Sequence, residues 1–172
     1  PFNCNMIYMI RFAPINDLER IVDIYNQAVP HKNATADLEL IKKGQRISWF
    51  KEHNSESYPI FVKEIDGTVV GWCSLSPYRG GWLALKNTAE IVCYIDYGYH
   101  RQGLGSELIQ HALNDCNRVN KKIVFGILLE KNERSIKLFK KLGFERWGYL
   151  PEVAEFDGKL CGHVYMGKKV TD

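Results

Sequence analysis

The stretch AEIVCYIDYGYHRQGLGS, residues 89–106, decides the fold. It opens with an apolar run, Ala89 to Ile95, that reads as a strand. Asp96 to Gln102 is polar and irregular. A helix then follows Gly103, with Leu104, Leu108, Ile109, Ala112, Leu113 and Cys116 along one apolar face. The turn between strand and helix is His100-Arg101-Gln102-Gly103-Leu104-Gly105-Ser106. Two glycines two apart let the backbone approach a ligand closely. The helix start directs free N–H groups and the positive end of its dipole outward, and Arg101 adds charge beside them. Together these residue types make a pyrophosphate cradle. A dinucleotide fingerprint is excluded, because Leu108 stands where the third glycine belongs, and no Gly-Lys-Ser/Thr exists for a Walker A loop. A glycine helix start that serves only a turn stays open at this point.

Downstream, Ile123 to Leu129 is almost uninterrupted apolar sequence, the pattern of a strand covered on both faces. Strand, helix and buried strand in this order predict a right-handed parallel crossover. Glu133 to Leu142 reads as a short helix ending at Gly143, and Phe144–Leu150 with Cys161–Lys169 as a closing pair of strands. Upstream, Ile7 to Phe12 reads as a first strand. Asn16 and Glu19 form a predicted capping box for a helix that ends near Pro30. A second helix is predicted from Asp37 to His53, on the apolar positions Leu40, Ile41, Ile47 and Phe50. Tyr58–Ile65 and Thr68–Ser76 form a hairpin about Asp66-Gly67, and Pro77 to Asn87 is a loop. There is no internal repeat or linker. The expected architecture is one α/β domain over residues 1–172, with a mixed sheet.

The 172 residues are 45% hydrophobic and 25% charged, which is globular composition. The net charge of +3 is spread along the chain, not gathered into the basic face or run of a nucleic-acid binder. Cys4, Cys73, Cys93, Cys116 and Cys161 are odd in number and lack a Cys-x-x-Cys pair, so reduced thiols in a cytoplasmic protein are expected. Cys161-x-His163 is at most half a metal site, and no metal is expected. Neither a secretion signal nor a membrane span is read from the chain.

The stretch 89–106, with Asn132-Glu133-Arg134-Ser135 and Leu142-Gly143-Phe144, resembles the GNAT superfamily of N-acetyltransferases. Ile24-Tyr25-Asn26, Thr35-Ala36 and Ala89-Glu90 look more narrowly like its phosphinothricin acetyltransferase branch. The resemblance runs from about Met9 to Lys169. It implies a mostly antiparallel twisted sheet with one splayed parallel strand pair and flanking helices. It also implies acetyl-CoA as co-substrate, an amine acceptor and a homodimer; the spread charge and the lack of an apolar span point to no nucleic-acid and no membrane partner. Cys93-Tyr94-Ile95 would pair with the pantetheine arm. His100, Arg101, Gln102, Gly103, Leu104, Gly105 and Ser106 would hold the pyrophosphate. His100 departs from the family's Gln or Arg at its position. Asn132 matches a cofactor-contacting asparagine, with Ser135 one helical step on.

Glu90 matches the carboxylate proposed as general base in that branch. An amine of pKa about 10.4 is unprotonated only about once in 2,500 molecules at pH 7, so the attacking nitrogen must lose a proton. Phe139 stands where the superfamily often has a tyrosine, and cannot act as general acid. His163 stands where the branch usually has an acid. Tyr25, Asn26, Trp72, Tyr78 and Trp82 are candidates for the acceptor pocket, beside the plainer reading of core aromatics and a polar cap. Arg79 and Lys86 favour an anionic acceptor. The later loop arginine of phosphinothricin-type enzymes is absent, and the loop is one residue longer. Acceptors of other kinds, a polyamine or a peptide amine, and a non-catalytic acetyl-CoA sensor are the alternatives.

Overall fold

The structure is a computed structural model and describes residues 7–170, so Cys4 lies outside it. One seven-stranded sheet runs in the order β1-β2-β3-β4-β5-β7-β6. β1 (Tyr8–Phe12), β2 (Ile60–Ile65), β3 (Thr68–Pro77) and β4 (Thr88–Ile95) are antiparallel neighbours. Asp66 and Gly67 turn the β2–β3 hairpin with φ of +48° and +79°, the left-handed pair that a two-residue turn requires.

β5 (Ile123–Leu129) lies parallel to β4, so the predicted crossover is present and α3 (Leu104–Asp115) makes it. Its buried residues Leu108, Ile109 and Ala112 pack with Leu75, Ala89, Ile91, Val124 and Met166 on one face of the sheet. Full burial of one such aliphatic side chain is worth about 1.5–3 kcal/mol. α4 (Glu133–Lys141) covers the same face through Phe139. On the opposite face lie α1 (Leu18–Asn26) and α2 (Lys43–Lys51), where Ile21, Ile24 and Tyr25 meet Val62 and Trp72.

Some expectations need correction. The helix predicted over 37–53 is only α2. Leu38 and Leu40 are exposed, and Asn26 holds the 37–42 segment as a loop by bonding both backbone groups of Ile41, at 2.9 and 3.0 Å. Asn16 caps nothing. It lies in a 3-10 turn, Ile15–Asp17, and α1 starts behind Asp17, whose carboxylate is drawn to Arg11 at 2.6 Å. α1 also stops at Asn26, short of Pro30, which belongs to a separate 3-10 turn. β5 is not covered on both faces: Val124, Gly126 and Leu129 are buried and the rest are half-buried. The closing strands are longer than expected. β6 (Glu145–Phe156) and β7 (Lys159–Lys169) meet at Asp157-Gly158, a second left-handed pair with φ of +51° and +75°. Register breaks in β6, between Leu150 and Ala154, hide its continuity in the sequence.

Candidate active site

The parallel seam between β4 and β5 is short. It holds at Thr88–Ile123, Ala89–Val124 and Glu90–Phe125, and beyond Glu90 the strands part. A cleft of about 430 Å³ occupies the gap. Its walls are Ile91 to Ile95 of β4, Ile127 and Leu128 of β5, and the first turns of α3 and α4. The inner backbone edges of both strands therefore face a ligand space.

The α3 end of the cleft is built from backbone. Arg101 and Gly103 both take positive φ, 64° and 82°, which turns the chain sharply before the helix. The N–H groups of Leu104, Gly105 and Ser106 lie in the first turn, where no intrahelical acceptor exists. These residues and Arg101 line the cleft. A Cβ on Gly105 would sit 3.4 Å from Leu138, so α3 and α4 meet in van der Waals contact there. Such a concave row of amides at a helix N-terminus fits an anionic group.

His100 ties the two sides of the mouth together. Its Nε2 lies 2.9 Å from the Ile95 carbonyl and its Nδ1 2.8 Å from Nη1 of Arg134. A carbonyl only accepts and a guanidinium only donates, which fixes the tautomer with the proton on Nε2. Burial, with Arg134 and Arg101 nearby, holds its pKa below the usual histidine range. His100 is thus a neutral strut. Asn132 caps α4 by accepting from the Ser135 N–H at 3.2 Å, and both residues line the cleft. Phe139 forms part of the wall, packed edge-on against Phe144 at 4.7 Å.

The structure thus brings together Cys93, Tyr94, Ile95, His100, Arg101, Gly103, Leu104, Gly105, Ser106, Asn132 and Ser135 around one space. Gln102 is exposed and not in the wall. Sequence reasoning passed over His31, Asn33, Tyr97 and Arg134, which also line it. Arg134 carried a signal, as a cation in the first turn of a helix beside a glycine loop. His31 carried none.

Glu90 ends the paired part of the seam. Its neighbours across the sheet are Ser76 on β3 and Phe125 on β5. Register partners share a face, so Glu90 points to the α1/α2 side with Val92 and Tyr94. Tyr78 and Trp147 both pack on Phe125, at 4.9 and 5.5 Å. Burial holds the Glu90 carboxyl above the usual carboxylate range.

Tyr25, Asn26, Trp72, Tyr78, Arg79 and Trp82 do not line the cleft. Tyr25 and Trp72 are core residues whose rings meet Tyr94, edge-on at 4.9 Å and tilted at 5.3 Å. The Tyr25 hydroxyl is bonded to Thr35 and Asp37, and burial followed by Asp37 pushes its pKa up to about 12. Asn26 is spent on Ile41. Tyr78, Arg79 and Trp82 form a separate group, with the Arg79 guanidinium 5.7 Å from the Tyr78 ring and 6.0 Å from Trp82. That group touches the Glu90 surroundings through Phe125. His163 lies on β7 opposite Leu129 and Leu150. Among the described residues, no three or more His, Cys, Asp or Glu side chains converge as a cation site. No helix among them is long and apolar enough to cross a membrane.

A splayed parallel pair beside a glycine-rich helix start is what the resemblance implied. The model of the acetyltransferase (GNAT) family matches residues 18–144. The chain belongs to the GNAT acetyltransferase family. It is 36% identical over 163 residues to the Bacillus subtilis protein named "Putative phosphinothricin acetyltransferase YwnH", across 94% of this chain and 99% of that one. It is 28% identical over 157 residues to a Salmonella typhimurium L-methionine sulfoximine/L-methionine sulfone acetyltransferase, across 91% of each. The solved structure of yncA from Salmonella typhimurium, described as a "putative acetyltransferase" with its cofactor acetyl-CoA, superposes with a TM-score of 0.90 at 26% identity. That match covers 96% of this chain and 95% of the other. This GNAT protein is an acetyl-CoA-dependent N-acetyltransferase.

Proposed function

We propose that the acceptor is the primary amine of a small, carboxylate-bearing amino-acid analogue of the phosphinothricin or methionine sulfone type, with Glu90 as general base. The observation that carries this reading is the location of Glu90. It stands where the β4–β5 seam opens, on the sheet face opposite α3, in surroundings that keep its pKa raised. A base serves best with a pKa near the working pH, and burial moves a carboxylate in that direction.

Acetyl-CoA supplies the acyl group as a thioester. The amides of Leu104, Gly105 and Ser106 would hold its diphosphate, with Arg101 and Arg134 as flanking cations. The backbone of Cys93, Tyr94 and Ile95 would pair with its linear arm, and Asn132 and Ser135 would close the space beside it. Glu90 receives the proton of the attacking nitrogen. Phe139 has no proton to give, so the departing thiolate is protonated from water. A thiol pKa of about 8.5 makes that departure easy.

Arg79, on its aromatic platform of Tyr78 and Trp82, receives the anionic end of the acceptor. A cation at that place disfavours a polyamine. The substrates in the relatives' names, phosphinothricin and methionine sulfoximine or sulfone, are amino-acid analogues that each carry a carboxylate. We further propose that two chains pair through β6, an edge strand that exposes Trp147, Tyr149, Leu150 and Val153. Sedimentation velocity tests the pairing. Thiol release from acetyl-CoA with methionine sulfone, methionine sulfoximine, phosphinothricin, spermidine and short peptides tests the acceptor. Turnover confined to spermidine or peptides refutes it.

A further inference from the structure

The α1/α2 face next to Glu90 holds a hydrogen-bonded pair that the acetyl-transfer reading does not use. His53, just past α2, places Nδ1 2.7 Å from the Trp49 carbonyl and Nε2 2.8 Å from Oγ of Ser76. The carbonyl can only accept, so Nδ1 carries the proton. A neutral ring then has a bare Nε2, which can only accept. Ser76 must therefore donate its one hydroxyl proton to His53. Burial lowers the His53 pKa, which favours this neutral ring.

The consequence falls on Ser76 Oγ. With its proton committed, the oxygen offers only lone pairs to anything else. Ser76 is the register partner of Glu90 in the antiparallel β3–β4 pair. Directly opposed residues share a face, with Cβ atoms about 4.5–5.5 Å apart. Both side chains are half-buried, so a ligand can reach the pair. Unlike Ser76, Ser74 one step along the same face has a fully buried hydroxyl with no partner.

We infer that Ser76 and Glu90 together form the ammonium-binding site for the acceptor. Two N–H groups of the primary ammonium bond to the two oxygens, and His53 acts as a positioning residue that fixes which way the Ser76 hydroxyl points. This rests on the reading of Glu90 as the base. Glu90 takes the ammonium proton and passes it to solvent, then takes the second proton that the nitrogen sheds after attack; Ser76 takes none and holds the nitrogen in line throughout.

The test is steady-state kinetics of four variants with the best amine of the panel. Ser76→Ala and His53→Phe should each raise the KM for the amine about tenfold, the loss of one hydrogen bond to a charged group, and leave kcat and the KM for acetyl-CoA within about twofold. Ser76→Ala combined with His53→Phe should be no worse than Ser76→Ala alone, because His53 acts only through Ser76. His53→Gln should restore the parental amine KM, since its carbonyl can accept from Ser76. Thermal melts identify any variant that has lost its fold, and Ser76→Thr, which keeps the hydroxyl, then replaces Ser76→Ala and should behave as the parent. An unchanged amine KM in folded Ser76→Ala overturns the inference. Additive effects of Ser76→Ala and His53→Phe overturn the role of His53. Glu90→Gln is assayed alongside. If its kcat is unchanged, the base reading fails, whatever Ser76 does.

Discussion

Glu90→Gln separates chemistry from architecture. The amide nearly matches the carboxylate in size, and Glu90 meets Ser76 and Phe125 across the strands, so packing should survive. What disappears is a proton acceptor. General base catalysis contributes about 10²–10⁴-fold, and the variant should lose kcat within that range. The remaining rate should follow the free amine. At pH 7 about one in 2,500 molecules of an amine with pKa 10.4 is unprotonated, so activity should rise about tenfold per pH unit above that. The parent should instead show an acid limb set above the ordinary carboxylate range. Stability should move the other way. The folded pKa of Glu90 is raised, so the unfolded chain releases this proton first as pH rises. Stability is therefore lost through that window, at about 1.4 kcal/mol for each tenfold by which folding weakens the acid. A side chain that never ionises escapes the loss, and Glu90→Gln should melt higher than the parent at pH 7. Stopped-time thiol release across pH 5.5–9.5, taken as roughly the range that brackets both groups, with differential scanning fluorimetry, gives both readings. A variant with parental kcat and an unchanged acid limb refutes the reasoning.

Other expectations are simpler. Gly126→Ala would put a Cβ 2.1 Å from the Phe139 ring, an overpacking of about 1–3 kcal/mol that should lower the melting temperature. Phe139→Leu in the same chain should recover part of it. Gly103 has φ of +82° and open space around its Cβ position, so Gly103→Ala should cost only the left-handed strain, about 1–2 kcal/mol in a denaturant melt. Arg134→Ala removes a cation from the cleft mouth and should raise the KM for acetyl-CoA about three- to tenfold, with kcat unchanged and the gap narrowing in high salt.

The sheet's central crossover was legible because each of its signals is local. An apolar strand, two glycines and a one-faced helix within residues 89–115 leave little choice of topology. The splayed pair itself came from the resemblance, since nothing in Ile91 to Ile95 says that its partner strand departs. The α1–α2 segment was misread for a similar reason. Leu40 and Ile41 keep helical spacing, yet a side chain fifteen residues away, Asn26, outbids the helix for the Ile41 backbone. The acceptor side was least legible. Tyr25 and Trp72 are aromatic like the residues of a pocket, but their rings complete a core around Tyr94. The pair of His53 and Ser76 is made by tertiary packing, and neither residue stands out in its own stretch.

The parted strands have a consequence for how the protein meets its neighbours in solution. An unpaired strand edge is a template onto which any extended chain can hydrogen-bond, and exposed edges invite aggregation. Here β4 and β5 carry two such edges in the middle of the sheet, walled in by the ends of α3 and α4. The fold thus keeps two unpaired strand edges inside the molecule, where the ends of α3 and α4 stand between them and the sheet edge of a neighbour.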